Sequence, residues 1–145
     1  MAGNTAPIFS KAGAIGLNGA ATLGTAIITS TDYTGTGANH AVVFTADATN
    51  GGFVQRLRFK ALGTNAVAVA RIFINNGAAN TTAANNSFYG EISLPATTQT
   101  GTAATVDLDY PLNIALPAGY RIVVGITAGA NLASGWAVTT IAGAY

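Results

Sequence analysis

The chain has 145 residues, no cysteine and one histidine, and only 8% of its residues are charged, for a net charge of +1. That length supports one hydrophobic core without staples, and the lack of cysteine excludes disulfides, thiolate metal sites and a cysteine nucleophile. The charge content lies far below the roughly 25% of ordinary soluble domains. Six basic residues against five acidic ones give no electrostatic footprint for nucleic acid and predict weak self-repulsion and a surface that meets other protein.

The longest apolar runs, such as Ala66 to Ala70 and Ile122 to Ile126, fall far short of the roughly 20 residues that span a bilayer. The start, Met1-Ala2-Gly3-Asn4-Thr5-Ala6-Pro7, lacks a basic segment followed by an apolar one, so no secretory signal is expected. Residues 1–12 are expected to form an N-terminal arm or a first strand, and residues 13–145 the folded domain. A first strand candidate runs from Thr5 to Lys11. Pro7 keeps the residue before it extended, and Ile8 and Phe9 are apolar anchors for a neighbour. Gly13 to Ala21 is rich in alanine and glycine; its glycines argue against a helical turn.

Short period-2 apolar runs then alternate with clusters of Gly, Asn, Thr and Pro, the pattern of strands and turns. Thr25 to Ser30 and His40 to Ala46 are predicted strands, separated by a glycine-punctuated loop. Asp47 to Gly52 is a turn carrying Asn50-Gly51. Gly52 to Leu62 alternates, with Phe53, Gln55, Leu57, Phe59 and Ala61 on one face and Val54, Arg56, Arg58 and Lys60 on the other. Ala66 to Asn75 places Val67, Val69, Arg71 and Phe73 opposite Ala68, Ala70, Ile72 and Ile74. Ser87 to Leu94 is a strand ended by Pro95. Ala104 to Ile114 puts Val106, Leu108, Tyr110, Leu112 and Ile114 on one face and Asp107 and Asp109 on the other, with Pro111 marking an edge or a bend. Tyr120 to Thr127 and Gly135 to Ala142 complete the set. Eight or nine short strands in one domain predict an all-β, single-domain β-sandwich, jelly-roll-like. An immunoglobulin-like alternative lacks the Cys–Trp–Cys spacing.

Catalytic signals are weak. His40 stands without a G-x-S-x-G nucleophile elbow, and its plain reading is a polar residue at a loop edge. Asp107 and Asp109 share a strand face, but two carboxylates supply too few oxygens for Ca²⁺ and point in parallel, which does not suit glycosidase chemistry. No enzyme activity, metal or cofactor is expected. Arg56, Arg58 and Lys60 form a basic stripe, read either as a solvated face paired with Asp107 and Asp109 or as a partner contact that sets register. The aromatic residues Tyr33, Phe88, Tyr89, Tyr120, Trp136 and Tyr145 are expected mostly inside, and Tyr145 is a further candidate contact.

Several stretches together resemble the small decoration, or cement, proteins of tailed bacteriophage capsids. They are Phe44-Thr45-Ala46-Asp47-Ala48-Thr49-Asn50-Gly51-Gly52 running on to Val54-Gln55-Arg56-Leu57, Arg71-Ile72-Phe73-Ile74-Asn75-Asn76-Gly77, Glu91-Ile92-Ser93-Leu94-Pro95-Ala96-Thr97-Thr98, Leu116-Pro117-Ala118-Gly119-Tyr120-Arg121-Ile122 and Gly135-Trp136-Ala137-Val138-Thr139. The resemblance spans roughly Asn4 to Tyr145; order and low charge carry it rather than any chemically diagnostic motif. It implies a protein made in the bacterial cytoplasm that binds the major capsid protein on the outer capsid surface of the virion. There it would reinforce the shell as a homo-oligomer, a trimer favoured over a dimer. The alternative is a carbohydrate- or receptor-binding β-sandwich of a phage fibre or head appendage. A cupin-type metalloprotein would need more histidines, and a host-surface adhesin a secretion signal.

Overall fold

The structure, a computed structural model, describes residues 12–18, 27–28, 32–36, 40–128 and 134–145. Among them it forms nine strands: β1 (Ala12–Asn18), β2 (Ile27–Ile28), β3 (Ala41–Thr45), β4 (Gly52–Ala61), β5 (Ala68–Asn75), β6 (Asn86–Leu94), β7 (Asp107–Leu116), β8 (Arg121–Ala128) and β9 (Trp136–Ala144). A single 3₁₀ turn, Ala83–Asn85, precedes β6. The fold is the all-β sandwich that the alternation predicts. One sheet has the order β1-β9-β4-β7, and the other the order β2-β8-β5-β6, with β3 also pairing β8. Since β5 pairs with β8 from Ala128 to Arg121, β2 and β3 share the opposite side of β8, β2 parallel at Ile126 and Thr127 and β3 antiparallel from Val124 to Arg121.

Inward residues of both sheets meet in one cluster. Val54, Leu57 and Phe59 of β4 and Trp136 and Val138 of β9 pack with Ala70 and Ile72 of β5 and Ile122, Val124 and Ile126 of β8. Thr140 brings a polar group to its edge that is matched: the Thr140 hydroxyl of β9 donates to the Val43 carbonyl of β3 at 3.1 Å, tying sheet to sheet. Turn chemistry follows the residues that need it. Gly51 sits at φ +79, and a Cβ there would collide with the Leu116 carbonyl. Only glycine takes that position without strain.

The predicted strand Thr5 to Lys11, and with it most of the arm 1–12, lies outside the described residues. Elsewhere the structure departs from the sequence reading in two places. The first described strand is β1, within the Ala/Gly stretch that offered no apolar signal; seven consecutive pairs with β9 make it a strand, so tertiary pairing overrides weak propensity. The unbroken alternation of β4 is also wrong. Against β9, Gln55 is an extra residue between the pairs Val54↔Ala142 and Arg56↔Ile141. Such a bulge reverses the phase of a strand. Val54, expected outside, is therefore buried, while Gln55, expected inside, is exposed. Pro111, by contrast, lies on β7, an edge strand as read from the sequence.

Candidate functional site

The basic stripe stands on the outer side of β4, next to β7. Register sets Arg58 opposite Asp109 and Lys60 opposite Asp107. The ion pairs run diagonally: Arg58 binds Asp107, and the Arg56 Nε approaches Asp109 Oδ1 at 3.6 Å. Lys60 Nζ donates to the Thr105 carbonyl at 2.7 Å. The hydrogen bond and charge of Arg58 hold the Asp107 carboxyl below its ordinary range. All four carboxylate and guanidinium groups are about half exposed, so water screens the pairs and their stability contribution is small. The stripe is thus a cross-strand ladder of three cations and two anions. Of the other candidate contacts, Pro7, Ile8 and Phe9 lie outside the described residues, and Tyr145, just beyond β9, is half-buried.

A second cluster, on the outer side of β5, is one that the sequence reading missed. Arg71 and Phe73 point away from the core yet are buried, because the segment 32–36 lies over them. The Arg71 guanidinium stacks on the Tyr33 ring, with its central carbon 3.7 Å from the centroid. Its Nη1 donates to the Asp32 carbonyl at 2.7 Å, and its Nε to Glu91 Oε2 at 3.3 Å. Asn86 Nδ2 holds the same segment through the Thr34 carbonyl at 3.1 Å. Gly35, at φ +71, lets the chain lie against the Phe73 ring, where a Cβ would be crowded. His40 stands at the loop edge just before β3, as expected, but its side chain is buried, edge-on to Phe73 at 5.2 Å and 3.5 Å from Asp32 Oδ2. Tyr33 meets Phe88 edge-to-face at 5.3 Å.

The aromatic residues also divide differently from the expectation. Trp136 is buried and Tyr120 and Tyr145 are half-buried, but Tyr33, Phe88 and Tyr89 are exposed, at 51%, 40% and 39%. Tyr89 is an extra residue on β6 between the pairs Ile72↔Gly90 and Phe73↔Phe88. Such a bulge re-aims a side chain, and the Tyr89 hydroxyl donates to the Leu112 carbonyl of β7 at 3.4 Å.

Asp32 is the hinge of this cluster. Burial pushes its pKa up. The amides of Thr34 and Gly35, the Thr34 hydroxyl and the charge of His40 outweigh that and hold it below its ordinary 3.8. A depressed carboxyl stabilises the fold above its unfolded pKa and loses that contribution as pH falls through the folded value. The contribution of Asp32 to the urea midpoint should therefore be complete about a unit above its ordinary 3.8 and decline progressively as pH falls from there. In Asp32→Asn the fall should be shallower but not absent, because Asp47 and Asp107 are lowered as well. Urea titrations at a series of pH values check this; an unchanged acid limb in the variant would refute the role of Asp32.

Chemically, the ladder offers paired charges in a fixed row, and the Tyr33–Arg71–Phe88 cluster an aromatic surface flanked by a guanidinium and a carboxylate. Among the described residues, no three His, Cys, Asp or Glu side chains are grouped so as to hold a metal ion. No protein family, no characterised protein and no solved structure matches the chain.

Proposed function

We propose that this protein is a non-enzymatic structural component of a tailed-phage virion, bound to the outside of the assembled capsid through the major capsid protein and reinforcing it. The observation that carries the reading is charge: few ionised groups, with those on the β4–β7 face paired to one another. A surface of that kind gains little from water and suits many shallow contacts repeated over a lattice, where avidity multiplies weak affinities. With the two-residue β2 set aside and β3 taken as the neighbour of β8, the strand order β1-β9-β4-β7 against β3-β8-β5-β6 supports the finer reading of the sandwich as a jelly roll. Fold alone does not settle function; the resemblance in residue order adds the capsid.

In this reading the Arg56–Asp109 and Arg58–Asp107 ladder sets the orientation of the protein on its partner. Arg56→Gln combined with Arg58→Gln, which removes the cations without setting new carboxylates beside Asp107 and Asp109, should reduce co-sedimentation with capsids by about tenfold or more in affinity and leave the urea midpoint nearly unchanged. Unchanged co-sedimentation would remove the ladder from the interface. A second reading, carbohydrate or receptor binding, is favoured by one observation: Tyr33 and Phe88 are exposed beside Arg71 and Glu91. Saturable glycan binding abolished by Tyr33→Ala would support it.

A further inference from the structure

The four sides of the two sheets are not alike. A sheet edge presents unpaired N–H and C=O groups, and natural proteins blunt such edges with charge, proline, bulges or very short strands. On β7, Asp107, Asp109 and Pro111 do this, with Asn113 in the left-handed region at φ 50. On β6, Glu91 and the bulge at Tyr89 do it. The far side of β8 is covered by the two-residue β2 and by β3, whose register shifts between Val42 and Phe44. β1 has none of these devices. Its seven residues, AGAIGLN, contain no charge and no proline, and they pair with β9 without a register shift. No described residue pairs with its other side.

The surroundings of this edge are apolar. β1, β3 and β9 carry no ionisable side chain. Ile15 is 64% exposed, and Val42 across the sandwich is 44% exposed. Ile15 pairs with Ile141, which lines a half-open depression with Phe53, Gln55 and Gly143.

We propose that β1 pairs antiparallel with β1 of a second copy of this chain, centred on Ile15, joining two four-stranded sheets across a two-fold axis. Charge selects this occupant. Self-pairing of β7 would bring Asp107 and Asp109 toward their own copies, and self-pairing of β6 would do the same with Glu91; like charges facing across strands are destabilising. Self-pairing of β1 opposes Ala14 to Gly16, Gly13 to Leu17 and Ile15 to itself, so uncharged residues meet at every position. The two Ile15 side chains then sit about 4.5–5.5 Å apart at Cβ, covering a residue otherwise left in water. The contact is isologous and closes at two copies; the trimer implied by the family resemblance would need a different contact. The pairing is independent of any capsid, so a dimer stands whether or not a shell is bound.

Light scattering after size exclusion, with the full chain at micromolar concentration, should give twice the chain mass. Ile15→Lys should raise the dimer dissociation constant by about tenfold or more with an unchanged far-UV spectrum. An equimolar mixture of Ile15→Lys and Ile15→Asp should recover the dimer, because only a two-fold contact sets position 15 against itself. If Ile15→Lys fails to fold, amide hydrogen exchange of the unaltered protein decides, since β1 protection should rise with protein concentration. A monomeric or trimeric unaltered chain would overturn the proposal, as would a dimer indifferent to Ile15→Lys, a mixture that stays monomeric, or concentration-independent exchange. So would a monomer that dimerises only when residues 1–10 are deleted, since the edge would then be covered by the chain's own start.

Discussion

Replacing Asn65 by alanine should lower the unfolding free energy by about 2–4 kcal/mol. The side chain is only 3% exposed and stitches three loops at one end of the sandwich. Its Nδ2 donates to the Gly135 carbonyl at 3.0 Å and to Thr97 Oγ1 at 3.2 Å, and its Oδ1 accepts from the amides of Gly135 at 2.7 Å and Ser134 at 3.2 Å. Its backbone forms a two-way bridge with Thr97. Alanine keeps the bridge but strips the buried Gly135 amide and the part-buried Ser134 amide of their acceptor, while the Gly135 carbonyl keeps the Leu62 amide at 3.2 Å; each buried group left unmatched costs about 1–3 kcal/mol. Asn65→Asp separates donor from acceptor roles. It keeps the acceptor, but an ionised carboxylate would face the Gly135 carbonyl. Its folded pKa should be raised, so the damage should grow as pH rises above the ordinary carboxylate range and shrink in acid, where the protonated form donates again. Urea unfolding at neutral and acid pH tests both variants; equal midpoints for Asn65→Ala and the unaltered chain would refute the clasp.

Trp136→Ala should be comparably severe, about 3–5 kcal/mol, and Trp136→Phe should cost under about 2 kcal/mol. Trp136 is fully buried at the start of β9, opposite Ala61 on β4. β9 is an interior strand between β1 and β4, so a void there loosens three strands together. The gap between the two variants comes from the indole nitrogen, which meets no acceptor among the described residues. Phenylalanine removes that unmatched N–H while keeping most of the ring, so part of the packing loss is offset. Because this is the only tryptophan, the midpoints must be read by far-UV circular dichroism. A phenylalanine variant as damaged as the alanine one would show that the nitrogen has a partner.

What the sequence made legible was the side-chain alternation. β5, β7, β8 and β9 declare themselves through Ile72, Leu112, Ile122, Val124 and Val138, and Pro111 announces its edge. What it hid has physical causes. β1 is built from small residues whose strand state comes from β9 rather than from themselves. The Gln55 bulge keeps the composition of β4 and reverses its phase, which no hydropathy pattern reports. The ladder was half legible: two aspartates and three basic residues with period 2 foretold the pairing, but the diagonal geometry depends on register. The Asp32–His40–Arg71 cluster collects residues from separate segments with no shared motif. Its one trace was Arg71 beside Phe73 on the outer face of β5, a charge and a ring that both need cover. Asn65 read as an ordinary turn residue, because the loops it joins are 32 and 70 residues away.

Imaging is the direct test of the proposed attachment to a capsid lattice. Expanded, undecorated phage capsids incubated with an excess of the purified protein and examined by electron cryomicroscopy should carry added density at regular sites on the outer surface, at an occupancy that saturates. Bare capsids at saturating protein would contradict the account.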